Sequence, residues 1–381
     1  MNSDIVLVCP VTEPYVRRSE HDAAWFMGRV LSRLIAASGV GKADIDGLCL
    51  SSFTLAPDGP APFLQYAGMS VRMLDWIPTG GACGIMAARR AIRAVAAGDA
   101  EIVACLAGDT ANAGSFRDLL EGFSVFSRDA VYPYGAGGPN ASFALITDHY
   151  MRKYGAVRED FGHLAVAQRR NAQGNPNALL RSPMTMEDYL GARPVASPIH
   201  LLDCVMPCAG GDGFLVMTRA RADALGLASV RLLASIERHN AFSDDPMQER
   251  GGWLLDRDAL WSKAGVGPQD MDAVQTYDDY PVISMLQFEG LGFCGQGEAA
   301  SFLRGRDLTA TGDLPHNTGG GQLSCGQAGA AGGYLGLVEA MRQLTGVATS
   351  QVARARHVLV SGFGMINYDR GLCTAAAVLA E

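Results

Sequence analysis

The sequence predicts an α/β protein built from two similar halves, and three observations carry that expectation. Short continuous apolar runs recur along the chain, among them IVLV (5–8), GLCL (47–50), IVACL (102–106), FALI (143–146), FLVM (214–217) and HVLV (357–360). None alternates, so each reads as a strand buried on both faces of a mixed or parallel sheet covered by helices. Between them lie stretches such as AAWFMGRVLSRLIAASG (23–39), whose apolar residues fall at i, i+3, i+4 and i+7, the stripe of an amphipathic helix. The third observation is an internal echo. ASGVGKADIDGLCLSS (37–52) and KAGVGPQDMDAVQTYD (263–278) share Gly-Val-Gly, then Asp44 and Asp270, Asp46 and Asp272, then an apolar strand. A repeat near half the chain length is too long for a solenoid and fits two matching α/β units.

The echo orders the elements. In the first half the IVLV strand leads to the amphipathic helix, a glycine helix end, an acidic step and the GLCL strand. TGGACGIMAARRAIRAVAAGDAEIV (79–103) then reads as a glycine-rich turn, a helix and a strand, with Cys83 just past the turn. A helix N-terminus lowers a thiol pKa through its unpaired amides and dipole, so Cys83 is a candidate nucleophile, against the plainer reading of a small packed residue. Residues 113–198 are richer in Arg, Tyr, Asn and Pro and poorer in long periodic runs, which reads as an inserted loop region covering a site. The second half repeats the scheme, with GQAGAAGGYLGLVEAMRQL (326–344) and RARHVLVSGFG (354–364) as turn, helix and strand. The expected division is an N-terminal half over 1–225 and a C-terminal half over 226–381.

Composition narrows the function. With 48% hydrophobic and 18% charged residues the 381-residue chain can bury one large core or two fused ones. A net charge of -8 argues against a nucleic-acid footprint and points to a small-molecule substrate. The start, MNSDIVLVCPV, lacks a basic region followed by a long apolar run, and no stretch approaches the roughly 18 apolar residues of a membrane span, so the expected location is cytoplasmic. Nine cysteines, an odd number in apolar surroundings, read as reduced thiols. His200, Cys204 and Cys208 are spaced by four and lack the tight C-x2-C pair of zinc sites, so no metal is expected. The glycine turns near 134–140 lack the G-x-G-x-x-G or Gly-Lys-Ser/Thr patterns of nucleotide loops, so no bound cofactor is expected.

Two α/β halves, a cysteine-bearing turn before a buried helix, and NTGGGQLSCGQAGAAGG (317–333) together resemble the thiolase superfamily. ARPVASPIHLLDCVMPCAGGDGFLVM, YDDYPVISMLQFEGLGFCGQGEA and VEAMRQLTG narrow the likeness to its sterol-carrier/lipid-transfer branch, over nearly the whole chain. The resemblance implies a five-layered αβαβα fold, acyl-CoA substrates in which coenzyme A is part of the substrate, and a homodimer. It also implies a small zinc-ribbon/OB-fold acyl-CoA-binding partner protein. In thiolases one cysteine attacks the thioester, a histidine activates it and a second cysteine moves the α-proton. Counted back from the GDAEIV strand, the nucleophile position falls on Gly81; a two-residue shift in the turn would place it on Cys83. The histidine of the family's Gly-His-Pro motif aligns with Gln327, the second cysteine with Leu359, and the asparagine of its Asn-Glu-Ala-Phe loop with Tyr277.

Gln cannot take a proton at neutral pH, so the chemistry of an acyl-enzyme is eroded while the glycine loops remain. The branch includes aldolases that cut a β-hydroxyacyl-CoA by retro-aldol cleavage, which requires a base and donors for a thioester enolate but no covalent intermediate. The expected catalytic set is Tyr277, Gln327, Cys83 and Asp278, with Tyr277 as proton acceptor if neighbours lower its pKa and Asp278 or Asp279 orienting it or acting in its place. Gly81, Ser361, Gly362, Asn317 and, more weakly, Tyr368 are the expected oxyanion and substrate-binding positions. Two other readings stand beside this one: a divergent acyltransferase or thiolase using Cys83, and a non-catalytic acyl-CoA or lipid-binding subunit.

Overall fold

The computed structural model describes residues 4–111, 131–136, 138–368 and 370–381. Its strands are β1 (Ile5–Val16), β2 (Gly47–Ser51), β3 (Met73–Trp76), β4 (Val103–Asp109), β5 (Pro194–Ala196), β6 (Ile199–His200), β7 (Ala209–Thr218), β8 (Ser229–His239), β9 (Ala273–Gln275), β10 (His357–Asn367) and β11 (Arg370–Ala380). The helices are α1 (Ala23–Ser38), α2 (Pro60–Ala67), α3 (Cys83–Ala97), α4 (Pro139–Tyr154), α5 (Arg158–Ala172), α6 (Met186–Leu190) and α7 (Arg219–Ala224). They continue with α8 (Trp253–Ala264), α9 (Pro281–Gly290), α10 (Ala299–Arg304), α11 (Gly321–Cys325) and α12 (Gly332–Leu344).

Nine strands hydrogen-bond in the order β3-β2-β4-β7-β1-β8-β11-β10-β9. The order β2-β4-β7-β1 of the first half is mirrored by β9-β10-β11-β8 of the second, the two sets meeting where β1 pairs with β8. Pairing is mixed: β2 lies parallel to β3 and β4, and β9 parallel to β10, while the remaining pairs of this sheet are antiparallel. The internal echo has a physical cause. Gly39 and Gly265 end α1 and α8 in the left-handed conformation, at φ of 68° and 71°, where a side chain would be strained. Asp46 then accepts from the amides of Glu101 and Ile102 at 2.8 and 3.0 Å, and Asp272 from those of Arg356 and His357 at 2.7 and 3.0 Å. Each carboxylate pins the start of one strand to the start of its parallel neighbour.

Side-chain alternation divides the core into layers. Leu7, Cys49, Cys105 and Phe214 of the first half and Val358, Val360, Ala375 and Ala377 of the second all pack on α3 and α12. Those two helices therefore lie between the halves of the sheet. The opposite faces carry α1 and α2 against Val6, Leu48, Leu106 and Leu215, and α4, α5, α8 and α9 against Val274, Leu359 and Val378. Helix, sheet, helix, sheet, helix is the resulting order, the five-layered arrangement that the resemblance implies.

The region 113–198 departs from the expected loop. Residues 112–130 lie outside the described part, but α4 and α5 are helices of 16 and 15 residues. FALI sits inside α4 rather than in a strand, because Pro139 opens a helix after Gly138 and the run continues in helical register to Tyr154. A four-residue apolar run does not by itself distinguish the two periods.

Candidate functional site

The turn Thr79–Ala82, the loop after β9, the turn before α12 and the glycine-rich strand β10 converge at one end of the layers. Glycines allow the contact. A Cβ on Gly364 would lie 2.1 Å from Thr79 O, and one on Gly362 would lie 2.4 Å from Gly81 O, so β10 lies flush on the turn. A Cβ on Gly81 would fall 2.2 Å from Phe363 O and equally close to two ring carbons of Tyr277. The Tyr277 ring thus occupies the space that a side chain at position 81 would need.

Around this contact is a cavity of about 310 Å3. Gly80, Gly81, Tyr277, Asp279 and Gln327 form its polar floor, and Phe53, Phe143, Phe363, Val205 and Ile366 its apolar wall, with Arg193 at the same surface. A second cavity, about 30 Å3, lies behind Tyr277 and is lined by Asp278, Asn317, Gln322 and Ser361 among others. Gly81 and Tyr277 border both.

Tyr277 is held by its backbone as well as its ring. Its amide donates to Gln287 Oε1 at 3.0 Å, and Gln287 Nε2 donates to its carbonyl at 2.7 Å. Ser361 Oγ donates to the same Gln287 oxygen at 2.5 Å, so Ser361 serves this clamp. At the hydroxyl, Gln327 Nε2 donates to Tyr277 Oη at 2.8 Å. Gln327 is in turn fixed by its backbone, donating to Met206 O at 2.8 Å and accepting from Cys208 N at 3.0 Å. With one lone pair of Oη taken by Gln327, the phenolic proton is available to a cavity ligand.

Electrostatics correct the expected role of Tyr277. Burial first, then the Asp279 charge, push its pKa well above the usual tyrosine value, and the Gln327 hydrogen bond offsets only part of this. The side chain is a phenol that donates, and among the described residues no cation is one of the groups that shift it toward a tyrosinate.

Several expected site residues lie elsewhere. Cys83 is fully buried, donates to Ala330 O at 3.1 Å, and lines neither cavity. Burial pushes its thiol up to about 12, the reverse of helix-terminus activation. Asp278 turns away from the larger cavity and accepts from the amides of Gln322 and Leu323 at 2.9 and 3.2 Å, with burial raising its carboxyl to about 6. Asn317, at φ 44°, accepts from Thr276 N at 2.9 Å and faces the smaller cavity. Gly362 is a packing glycine, and Tyr368 is exposed in the β10–β11 turn, its carbonyl accepting from Ser142. Tyr277, Gln327 and Gly81 are the expected residues that meet at the larger cavity.

Asp279, Asp109 and Asn140 share its wall. Asp109 ends β4 and accepts from Ser52 Oγ, Thr54 Oγ1 and the amides of Phe53, Thr54 and Ala330 at 2.6–3.1 Å, so it ties the first-half loop to the Gln327 turn. The YDDY run was the available signal for Asp279. Nothing local in the sequence distinguishes Asp109 from any strand-end acid. Among the described residues no group of three His, Cys, Asp or Glu side chains is placed to hold a metal. Cys204 and Cys208 line the cavity, and burial raises both thiols, Cys204 to about 12.

Behind the loop, His316 Nε2 bonds Thr276 Oγ1 at 2.7 Å, and burial lowers its pKa from 6.5 to about 3. The folded imidazole stays neutral while the unfolded chain takes a proton below pH 6.5, so this contribution to stability is lost as pH falls from 6.5 toward 3. Between pH 7 and 5 the wild type is expected to lose about 2 kcal/mol more than His316→Gln in denaturant unfolding, at about 1.4 kcal/mol per pH unit below the unfolded pKa. Asp278 acts in the opposite sense in both proteins and cancels. Equal losses in the two proteins would refute the assignment.

The fold and its cavity define an α/β protein of five layers that gathers reactive groups from loops of both halves. Comparison with known proteins identifies the group. Residues 257–374 match the family model "Thiolase C-terminal domain-like". A 17-hydroxy-3-oxo-4-pregnene-20-carboxyl-CoA lyase of Mycobacterium tuberculosis is 32% identical over 346 residues, covering 86% of this chain and 88% of the relative. A steroid side-chain-cleaving aldolase of Thermomonospora curvata is 30% identical over 343 residues, 86% of each chain. Among solved structures, an Ltp2-ChsH2(DUF35) aldolase superposes with a TM-score of 0.82 at 26% identity, covering 99% of this chain and 98% of that one. The chain belongs to the thiolase superfamily, in its sterol-carrier/lipid-transfer thiolase-like branch. These relatives are, by name, lyases and aldolases, two of them acting on CoA esters or steroid side chains.

Proposed function

We propose that this protein cleaves a carbon–carbon bond of a β-hydroxyacyl-CoA by a retro-aldol reaction without a covalent acyl-enzyme. The observation that carries the reading is the floor of the cavity, where Gly81 is capped by the Tyr277 ring and the Tyr277–Gln327 pair faces the ligand space. In the reaction the β-hydroxyl loses its proton and becomes the carbonyl of a ketone or aldehyde, and the Cα–Cβ electron pair moves into a thioester enolate. The Tyr277 hydroxyl, with the second N–H of Gln327 and the turn amides at Gly81 beside it, meets the enolate oxygen in a buried setting where donors act strongly. The apolar wall suits a hydrophobic acyl group, and the similarity to steroid-cleaving relatives supports a polycyclic one.

The Ltp2-ChsH2(DUF35) likeness supports a DUF35-type partner subunit, and the reading keeps the homodimer that the family resemblance implies. No bound cofactor is needed for the bond cleavage, since the enolate is stabilised by donors. None of the helices, among the described residues, is long and apolar enough to cross a membrane.

The test is a panel of β-hydroxyacyl-CoA esters, including 17-hydroxy-3-oxo-4-pregnene-20-carboxyl-CoA, given to the chain alone and with a DUF35-type partner. Release of a ketone or aldehyde with no mass increment on the protein is the expected result. Cys83→Ala is expected to keep kcat within a few-fold of wild type, because a thiol held as SH in the core contributes packing and not attack. An acyl adduct mapped to Cys83, abolished in that variant, would establish the acyltransferase reading instead. Saturable binding of the esters with no turnover under either condition would establish a binding subunit.

A further inference from the structure

Asp279 is the carboxylate in this cavity that the reading above leaves unused. The residue is 7% exposed, yet it lines the cavity beside Tyr277 and Gln327. Oδ1 accepts from Tyr280 N at 3.1 Å, the residue's own amide also bears on the carboxyl, and no donor from any other described residue reaches Oδ2. The other two acids near the floor are different. Asp109 is saturated by five donors, and Asp278 faces the start of α11. A buried carboxylate with one open oxygen at a ligand surface is arranged to accept a proton.

We propose that Asp279 is the catalytic base of this site, taking the β-hydroxyl proton on its open oxygen while the Tyr277 hydroxyl donates to the enolate oxygen. The assignment rests on the retro-aldol reading and deepens it. The proton and electron count closes. The hydroxyl proton moves to Asp279, the O–H pair becomes the carbonyl π bond, and the Cα–Cβ pair becomes the enolate. The carboxylic acid so formed then returns its proton to Cα, giving the shortened acyl-CoA and restoring the carboxylate, with no other reactant.

A base works best with a pKa near the working pH, and the surroundings of Asp279 move it in that direction. Burial, with the Asp278 charge second, raises its carboxyl well above the carboxylate range. From its own loop it faces Tyr277 and Tyr280, both phenols raised by burial. Across the cavity stand Asp109 at the end of β4 and the Cys204 and Cys208 thiols, and Arg193 is the one cation among the described lining residues. Acids and neutral thiols around it favour the proton, so kcat is expected to fall as the pH drops through the raised pKa of Asp279.

The experiment compares wild type with Asp279→Asn, assembled with the same partner, on the β-hydroxyacyl-CoA that the wild type cleaves. Asn keeps the size and the Tyr280 bond but cannot accept the proton. Expected are a kcat lower by about 10²–10⁴-fold, the range for a general base, unchanged binding of the CoA ester by calorimetry, and loss of the acid limb of the pH profile. Unchanged binding also shows that the variant is folded. Carboxyl 13C NMR of the wild type should show a raised titration that is missing in the variant. An Asp279→Asn protein within tenfold of wild type, or one keeping the acid limb, overturns the base and leaves the lyase intact. A wild type that cleaves no ester overturns the lyase, and the base with it.

Discussion

Tyr277→Phe is expected to lower kcat by about 10²–10³-fold while leaving binding of the CoA ester nearly unchanged. The magnitude is that of removing one preorganised donor from a developing oxyanion. The ring is required whatever the hydroxyl does, because it fills the space over Gly81 and packs in the floor between the two cavities. Phe preserves that packing and deletes one atom. The loss should therefore appear in kcat and not in the melting temperature, apart from the small effect of leaving Gln327 Nε2 without its acceptor at Oη. Steady-state kinetics with a thermal melt checks both parts. A Tyr277→Phe enzyme with full kcat would remove the hydroxyl from the chemistry.

Gly81→Cys is the second large effect, and it runs against the intuition that restoring a thiolase nucleophile restores a thiolase. The added Cβ would meet Phe363 O and the Tyr277 ring at 2.2 Å, far inside van der Waals contact. The ring could be displaced, but the carbonyl belongs to β10, which is held by β9 on one side and β11 on the other. Overpacking a built core costs about 1–3 kcal/mol, and here the strain falls on the residue that carries the donor. The expected protein is less stable in denaturant, does not cleave the β-hydroxyacyl-CoA, and gains no acyl adduct by intact mass. A stable Gly81→Cys protein that becomes acylated would mean that the turn has room the geometry denies it.

The site itself was legible in part, and the division follows a physical line. Tyr277, Gln327 and Gly81 were singled out by the resemblance to thiolase motifs, and the structure brings the three to one cavity. The choice between Gly81 and Cys83 could not be made from sequence, since two residues along a turn change which side chain faces a ligand and which enters the core. Asp278 and Asp279 are adjacent and chemically identical. Only the packing of α11 against the loop shows that the first accepts two helix amides and the second is open to the cavity. FALI was misassigned for a related reason, as four apolar residues fit a strand or a buried helix turn equally well until Pro139 and the following register are seen in place.

What the sequence determined by itself was the repeated α/β scheme, because helix ends, acidic steps and strands are local patterns of periodicity and backbone preference. The Gly-Val-Gly and Asp echoes, with Gly39 and Gly265 in one conformation and Asp46 and Asp272 in one role, are of that kind. What the tertiary structure alone decided was the chemical state of each candidate. Burial holds Cys83 as a thiol and Tyr277 as a phenol, and it raises Asp279 while its neighbour is capped. A pKa depends on which groups lie within a few ångströms and how much water is excluded, and those neighbours come from loops far apart in the chain.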